Sequence, residues 1–273
     1  MYEAYWKLER RPFENVADPD FFSPCETHQG ALLKIRYAVE NQKGAALLAG
    51  EHGSGKTMIV EMLKQQLPEF AGPFVHIVYP QMSPADLVAY IAEEIKPTDP
   101  NAPQRTLQQS VRTIQTCLAE NTAAGRHAVI VIDEAHLIED AACWDALRLL
   151  LNFRSLGRPD ATLVIVGQLQ LLSTIERTAS WDERLSVKCV LKPLSLDDTA
   201  AYLQHRLHAA GGRPEIFTPE GVESLYRLSG GLPRRINRLA DLALVIGYAE
   251  ENLTIGPAEL DAVCGELVSV SPF

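Results

Sequence analysis

The sequence lacks long apolar runs and has no apolar signal core at its start. No stretch approaches the roughly 18 consecutive apolar residues that a membrane-spanning helix needs. The opening residues, MYEAYWKLERRPF, mix charged, aromatic and apolar side chains. We therefore expect a protein without a transmembrane segment or a secretory leader, located in the cytoplasm.

The sequence also contains no CxxC pair, and its basic residues are fewer than its acidic ones, 25 against 35. The five cysteines are scattered and none forms a CxxC pair, which indicates reduced thiols and argues against a disulfide framework or a metal site. The net charge of −10 argues against a surface built mainly for nucleic acid, although it leaves room for a local basic groove. With 47% hydrophobic and 22% charged residues, the 273-residue chain has the composition of a globular protein with a full core.

Five short apolar segments predict buried strands. Their near-continuous apolarity is typical of strands covered on both faces, as in a parallel sheet. The segments are Ala45–Gly50, Phe74–Tyr79, Ala128–Asp133, Thr162–Gly167 and Val187–Lys192. Helical patterns lie between them, so the alternation predicts a three-layer α/β domain with a five-stranded parallel sheet.

Three apolar faces support the helices between these strands. They are formed by Leu32, Ile35 and Val39, by Leu87, Ile91 and Ile95, and by Leu107, Val111, Ile114 and Leu118. Ser83 and Pro84 are typical of an N-cap and a first helical residue. The proline-rich segment 96–105 predicts a surface loop within this domain.

The residues after Pro193 predict three or four helices and no further strong strand. Ser195 and Asp198 are typical of a capping pair, and Thr218 with Pro219 begins a second helix. The apolar face of a third is formed by Ile236, Leu239, Ala243 and Ile246. We therefore expect a small all-α domain after a boundary near Pro193.

The segment GEHGSGKT, residues 50–57, matches the phosphate-loop pattern G-x-x-x-x-G-K-[ST] between a strand and a helix. Gly53 and Gly55 allow the backbone to curl, so that successive N–H groups face an anion at the positive end of the helix. Lys56 can reach the β- and γ-phosphates, and the Thr57 hydroxyl can bind Mg²⁺. The motif predicts a nucleoside triphosphate site.

Other residues of the loop and its helix are expected to contact the bound nucleotide. They are Gly50, Glu51, His52, Ser54 and Met58. His52 occupies a variable position of the motif, and we expect its side chain to face solvent.

The segment VIVIDEAH, residues 129–136, places two adjacent carboxylates after a buried strand. Asp133 is predicted to hold Mg²⁺, and Glu134 to polarise the attacking water. The alternative is that both acids only cap the next helix, since acids favour a helix N-terminus. His136 is interpreted as a helix-start or interface residue. The letters DEAH also occur in helicases, but those need a second motor domain, and the residues after Pro193 are too few and too helical to form one.

Gln168 follows the fourth predicted strand, and its amide either bonds the γ-phosphate or its water, or is a polar loop residue. Arg177 and Arg184 precede the fifth strand, where they form surface ion pairs or, in an oligomer, reach a neighbour's γ-phosphate. Arg234 lies at the start of a helix, where the dipole opposes positive charge. A nearby phosphate would compensate for that arrangement.

With these motifs in this order, the sequence resembles AAA+ ATPases, specifically of the ExeA, or general-secretion-pathway-A, type. The resemblance extends over almost the whole chain. It is carried by YEAYWKLERRPFENVADPDFFSPCETHQGALLKIRYAV, GRHAVIVIDEAHLIED, LRLLLNF, VGQ, ERLSVKCVLKPLS, YLQHRLHAAG and SGGLPRRINRLADLAL. It implies an N-terminal strap at 1–30, an α/β nucleotide-binding domain at 31–193 and a helical lid domain at 194–273.

The resemblance also implies a role for each motif residue in ATP binding or hydrolysis. The roles are Walker A for Lys56 and Thr57, Walker B for Asp133 and Glu134, sensor 1 for Gln168, a trans-acting arginine finger for Arg184 and sensor 2 for Arg234. The strap around Pro12 and Phe13 is expected near the adenine.

Two residues depart from the pattern of the family. Tyr79 stands where such proteins often have an asparagine that restrains the catalytic glutamate, and Leu169 replaces a common proline after the sensor glutamine. The sequence up to Phe273 also contains no counterpart of the membrane and peptidoglycan-binding regions of the secretion prototype. We therefore expect no direct anchoring to membrane or cell wall.

These observations predict a Mg²⁺-dependent ATPase that forms a homo-oligomeric ring or filament. The resemblance implies partners in a secretion, pilus or export assembly, which would place the protein in the cytoplasm or at the periphery of a membrane complex. The alternatives are an ATP-dependent DNA-binding regulator related to the TnsC and TniB transposition ATPases, and a nucleotide-dependent scaffold with little turnover. A small-molecule kinase is disfavoured because Glu134 is better placed for water than for a substrate hydroxyl.

Overall fold

The computed structural model describes residues 1–99, 103–155 and 157–269. Its strands are β1 Ala45–Gly50, β2 Phe74–Ile77, β3 Ala128–Ile132, β4 Arg154–Ser155, β5 Arg158–Pro159, β6 Ala161–Gly167 and β7 Leu185–Leu191. Five of them form one parallel sheet in the order β2-β3-β6-β1-β7, and β4 pairs with β5 in a short antiparallel ribbon. The predicted five-stranded parallel sheet is confirmed. β2 ends at Ile77, two residues earlier than predicted.

Helices fill the connections and the C-terminal part of the chain. They are α1 Glu3–Trp6, α2 Glu26–Glu40, α3 Lys56–Gln66, α4 Pro84–Ile95, α5 Leu107–Ala123, α6 Ala141–Leu150, α7 Gln170–Glu176, α8 Ala179–Asp182, α9 Leu196–Ala209, α10 Pro219–Ser229, α11 Pro233–Ala249 and α12 Pro257–Ser269. Three short 3₁₀ turns span Pro19–Phe21, Ala135–Leu137 and Pro214–Ile216. Within the described ranges, no helix combines the length and the apolarity needed to cross a membrane.

The predicted helix starts are present. The Ser83 side chain accepts a hydrogen bond from the Asp86 N–H, and the Thr218 side chain accepts one from Gly221. Ser195 and Asp198 form a reciprocal capping box. Each cap satisfies an N–H group that has no partner within its helix.

The predicted apolar face of α5 is only partly buried. Ile114 and Leu118 are fully buried in the core under the sheet, but Leu107 is 50% exposed. Helical side chains lean over the turn that precedes them. Leu107 is the first residue of α5 and has no such turn, so the predicted helical face is exposed at its N-terminal end.

The chain divides into two compact units. One contains Met1–His28, His52–Glu61 and the residues from Lys192 onward; the other contains Gln29–Glu51 and Met62–Leu191. The division into 1–30, 31–193 and 194–273 stays a prediction. Residues 100–102 of the predicted loop and residues 270–273 of the predicted lid lie outside the described residues.

The first unit has a core in which the N-terminal residues pack with the C-terminal helices. The Phe13 ring meets the Phe217 ring edge-on, with centroids 5.9 Å apart. The Trp6 Nε1 donates a hydrogen bond to the Leu244 carbonyl at 3.0 Å. These contacts join the predicted strap to the helical part of the same unit.

The second unit has its core on the parallel sheet. β1 and β3 are buried along their whole length and flank β6. Parallel strands end at the same edge of a sheet, so Gly50, Asp133 and Gln168 leave three adjacent strands at one edge. The topology therefore collects three sequence-predicted site residues at the carboxyl edge of this sheet.

Candidate active site

The predicted phosphate-binding loop lies between the end of β1 at Gly50 and the start of α3 at Lys56. Gly53 and Gly55 have φ angles of +78° and +96°, which glycine adopts readily and other residues do not. A Cβ at Gly53 would lie 2.7 Å from the Arg234 Cβ, and one at Gly55 would lie 3.0 Å from the His28 Nε2. The two glycines therefore meet both a conformational and a steric requirement.

The loop side chains differ in their exposure. Ser54 and Lys56 are buried, whereas Thr57 is exposed at the first turn of α3. The Ser54 hydroxyl has no hydrogen-bond partner among the described residues. Buried polar atoms are nearly always paired, so an unpaired hydroxyl in a loop with glycine φ angles of this kind fits a phosphate ligand.

His28 contacts the backbone of the loop. Its Nε2 lies 2.7 Å from the Ser54 carbonyl oxygen, and its Nδ1 lies 2.7 Å from the Cys25 Sγ. Burial lowers the pKa of His28, which favours the neutral imidazole. Since a carbonyl only accepts, Nε2 is the donor, and the Cys25 thiol then donates to Nδ1. Sequence reasoning gave His28 no role, because 26 residues separate it from its partner in the loop.

Arg234 lies against the same loop. Its backbone N–H donates to the Gly53 carbonyl at 3.2 Å, and its Nη1 lies 2.5 Å from the His52 Nε2. The N-cap of α11, Leu232, provides no side-chain cap, so the loop carbonyl satisfies one of the first N–H groups of the helix. His52 is exposed, as predicted, but its contact with Arg234 was not predicted.

Pro12 and Phe13 are both buried. Phe13 borders an open cavity of about 620 Å³ whose lining also includes Asn15, Arg238 and Asp241. The predicted adenine contact of the strap stays a prediction.

The acid pair follows β3. Asp133 is buried, and its Oδ1 accepts the Glu134 N–H at 2.8 Å. Its Oδ2 lies 3.5 Å from the Nε2 of His76 on the neighbouring strand β2. This carboxylate is thus held by the N–H of the next residue and lies near one imidazole, whose Nε2 has no hydrogen-bond partner among the described residues.

Glu134 has a left-handed backbone, with φ 49°, and precedes the 3₁₀ turn Ala135–Leu137. Its side chain forms no capping hydrogen bond, so the alternative of a simple helix cap is not supported for Glu134. The Glu134 Oε2 lies 3.3 Å from the His136 Nδ1. His136 is indeed at the start of a helical turn, but its contact with the acid was not predicted.

Gln168 is half-buried and follows the last residue of β6, Gly167. A Cβ at Gly167 would lie 3.1 Å from the His136 Nδ1 and 3.2 Å from the His136 backbone nitrogen. The glycine before Gln168 therefore makes room for the turn that carries His136.

The two candidate trans-acting arginines differ in their environment. The Arg184 Nη2 donates to the Asn152 Oδ1 at 2.9 Å, and the side chain is half-buried. Arg177 is exposed at the end of α7. Tyr79 is 60% exposed beyond the end of β2.

Comparison with known proteins adds two kinds of similarity. The model of a family described as an AAA domain matches residues 39–175. The general secretion pathway protein A of Aeromonas hydrophila is 32% identical over 274 residues, which cover 99% of this chain and 49% of that protein. The chain therefore spans about half the length of that relative.

Solved structures share the fold at low sequence identity. The ORC2 protein of Aeropyrum pernix, solved as ADPNP–ADP complexes, has a TM-score of 0.72 at 14% identity, covering 97% of this chain and 73% of that chain. The ORC1 protein of the same organism, solved in complex with DNA, has a TM-score of 0.68 at 18% identity, covering 96% and 70%. At such identities the likeness shows the fold alone.

Proposed function

Because the chain belongs to the AAA family of ATPases, we propose that it binds ATP with Mg²⁺ and hydrolyses it between subunits of an oligomer, to drive or regulate a secretion, pilus or export machine. The observation that carries the ATP site is the loop after β1. Its glycines have φ angles of +78° and +96°, and its Ser54 hydroxyl is buried without a partner among the described residues.

The proposed chemistry assigns binding to the loop and activation of water to the acid pair. The loop N–H groups and the Lys56 ammonium hold the β- and γ-phosphates. The Thr57 hydroxyl and the Asp133 carboxylate are the proposed protein ligands of Mg²⁺. When bound, the ion neutralises charge that develops on the phosphate oxygens. Glu134 accepts a proton from the attacking water or polarises it.

The oxygen chemistry of the two proposed ligands, a hydroxyl and a carboxylate, suits Mg²⁺. Nowhere in the described ranges do three imidazole, thiol or carboxylate side chains converge as a metal-binding group. Mg²⁺ is commonly bound through one or two protein oxygens together with phosphate and water. A hydroxyl and one carboxylate are therefore a sufficient protein contribution.

Three further residues complete the proposal. Gln168 senses the γ-phosphate from the edge of the sheet. Arg234, which lies against the loop in the first unit, contacts the bound nucleotide. Arg184 acts in trans on the site of a neighbouring subunit, with Arg177 as the other candidate.

The proposed client rests on one relative. The 32% identity to the general secretion pathway protein A supports a secretion-related assembly, although the match covers 49% of that protein. A DNA-bound regulator is less well supported, because the DNA complex of ORC1 shares only the fold and the net charge here is −10. Assays with and without DNA at two salt concentrations separate these clients.

The decisive experiment for hydrolysis is steady-state ATPase kinetics of Glu134→Gln. We expect the wild-type chain to turn over ATP, and the variant to bind ATP with a kcat lower by about a hundredfold or more, as for loss of a general base. Glu139→Gln is the matched control, because Glu139 is an exposed acid five positions further along the chain. Equal rates in wild type and Glu134→Gln would exclude the role of Glu134.

A further inference from the structure

We propose that His136 is a positioning residue for Glu134, whose carboxylate it orients by donating a hydrogen bond from Nδ1. This inference rests on the proposed ATPase function and adds a residue to its hydrolytic step. His136 touches neither phosphate nor water in this assignment. It acts through Glu134.

The contact is defined by a distance and by an unmet hydrogen-bonding need. The His136 Nδ1 lies 3.3 Å from the Glu134 Oε2, and the two side chains are 12% and 38% exposed. Nδ1 is itself buried and has no hydrogen-bond partner of good geometry among the described residues. A buried nitrogen without a partner costs free energy, and a small rotation of the nearby carboxylate would remove that cost.

The local backbone places the imidazole beside the carboxylate. The left-handed conformation of Glu134, with φ 49°, starts a single 3₁₀ turn, and the Leu137 N–H closes it on the Glu134 carbonyl at 2.9 Å. The side chain of residue 136 is thereby brought back next to that of residue 134. In an extended continuation of β3 these two side chains would also lie on one face. The chain would not fold back, however, so the turn is what brings them together.

The end of the neighbouring strand β6 leaves space for the His136 imidazole. Gly167 ends β6, and a Cβ there would lie 3.1 Å from the His136 Nδ1. It would also lie 2.6 Å from the Leu171 Cδ1. Because Gly167 has no side chain, the imidazole fits between the end of β6 and Glu134, directly before the sensor residue Gln168.

The chemistry explains why Glu134 needs such a partner. A glutamate has three rotatable side-chain bonds, and a general base must point at the proton it accepts. A neutral imidazole can carry its proton on Nδ1, and a hydrogen bond to a carboxylate is stronger than one between neutral groups. His136 therefore restrains Glu134 from within the turn that follows it.

The test compares His136→Ala with His136→Asn in the full chain, since the Asn amide nitrogen occupies nearly the place of the imidazole Nδ1. Loss of a hydrogen bond to a charged group predicts a kcat lower by about tenfold to a hundredfold in the Ala variant. The KM for ATP and the affinity for a non-hydrolysed analogue should stay unchanged in both variants. The Asn variant should recover most of the lost kcat.

A double-mutant cycle separates this inference from the proposed function. In a Glu134→Gln background, His136→Ala should cause no further loss, because the base that it orients is gone. An Ala variant as fast as wild type, an Asn variant as slow as Ala, or a full Ala effect without Glu134 would each overturn the proposal. Failure of wild type itself to hydrolyse ATP would overturn the proposed function instead.

A second pair of variants covers the case in which His136→Ala does not fold. His136→Gln carries its amide one methylene further out than His136→Asn and cannot occupy the Nδ1 place. A fast Asn variant with a slow Gln variant supports the proposal, and equal rates in the two overturn it. Thermal unfolding of each variant shows that the compared chains are folded.

Discussion

The loop at residues 51–55 and the acid pair Asp133–Glu134 are held in different ways. The loop is held through its backbone: the Ser54 carbonyl accepts from His28 at 2.7 Å, and the Gly53 carbonyl accepts from the Arg234 N–H at 3.2 Å. The acid pair is approached through its side chains, by the imidazoles of His76 and His136 at 3.5 and 3.3 Å. The first distances are those of complete hydrogen bonds and the second are longer.

This difference indicates what each region must do. A loop that binds phosphate through its own N–H groups needs its carbonyls fixed on the far side, so that the backbone is already curled before a ligand arrives. In the proposed function, the acids act on groups that change during the reaction. Their neighbours are within reach but not locked, so a modest shift of a carboxylate completes or breaks each contact.

The largest expected effect tests whether one chain, which contains both the loop and the acid pair, is sufficient for hydrolysis. Arg184→Ala should lower kcat by about a thousandfold if Arg184 acts in trans as arginine fingers do, while ATP binding persists. Arg177→Ala is the paired variant. Steady-state rates across a range of protein concentrations make the measurement.

A mixing experiment provides the control. Arg184→Ala and Glu134→Gln chains, each nearly inactive, should regain activity when combined, because some interfaces then pair an intact Glu134 with a neighbour's intact Arg184. Absence of recovery in oligomers shown to contain both chains would contradict a role in trans.

The second-largest expected effect is a pH dependence of stability that comes from His127. This histidine directly precedes β3, whereas the acid pair and the imidazoles beside it lie at the opposite end of that strand. His127 is buried and its Nε2 lies 2.8 Å from the Thr162 Oγ1. Burial lowers the pKa of His127 to about 4 from an ordinary value of 6.5. Between these two pH values the unfolded chain binds more protons than the native chain. The free energy of unfolding should therefore fall as pH drops from about 6.5 to about 4, by about 2–3 kcal/mol from this residue.

Denaturant unfolding of wild type and His127→Gln at several pH values measures this contribution. The glutamine keeps an amide near Thr162 and does not titrate, so the difference between the two chains isolates His127 from other titrating groups. The difference in the free energy of unfolding between wild type and variant should be constant above pH 6.5. Below that pH, the wild type should lose stability relative to the variant. A gap that does not change with pH would show that His127 titrates normally.

The smallest expected effect tests whether the loop backbone is already curled before a ligand binds. Gly55→Ala adds a Cβ at 3.0 Å from the His28 Nε2 on a backbone with φ +96°. Strain of about 1–3 kcal/mol in such a conformation predicts an affinity for an ATP analogue that is lower by about tenfold. Calorimetric titration of the analogue measures it.

Gly125→Ala is the matched control for this prediction. Gly125 also has a positive φ, +74°, but a Cβ there has nothing within 4 Å. The control variant should lose a little stability and no affinity for the analogue. Equal loss of affinity in both variants would refute the specific role of the His28 contact.

The fold was predictable where local patterns act alone. The strand Ala45–Gly50 and the capping box of Ser195 and Asp198 are present as predicted, because apolar periodicity and capping depend on residues close in sequence. The end of β2 was predicted two residues too late, since Val78 and Tyr79 are apolar in character yet lie exposed beyond Ile77. Apolar character alone does not locate the end of a strand.

The sequence by itself determined the family, the parallel sheet, the glycine-dependent curl of the loop and the place of the acid pair after a strand. These follow from short motifs and from periodicity. Only the tertiary structure decided that His28 holds the loop, that Arg234 meets His52 and that Gly167 makes room for His136 beside Glu134. The first two contacts join residues 26 and 182 positions apart, and the third depends on a neighbouring strand. Such contacts arise from packing, which no local pattern encodes.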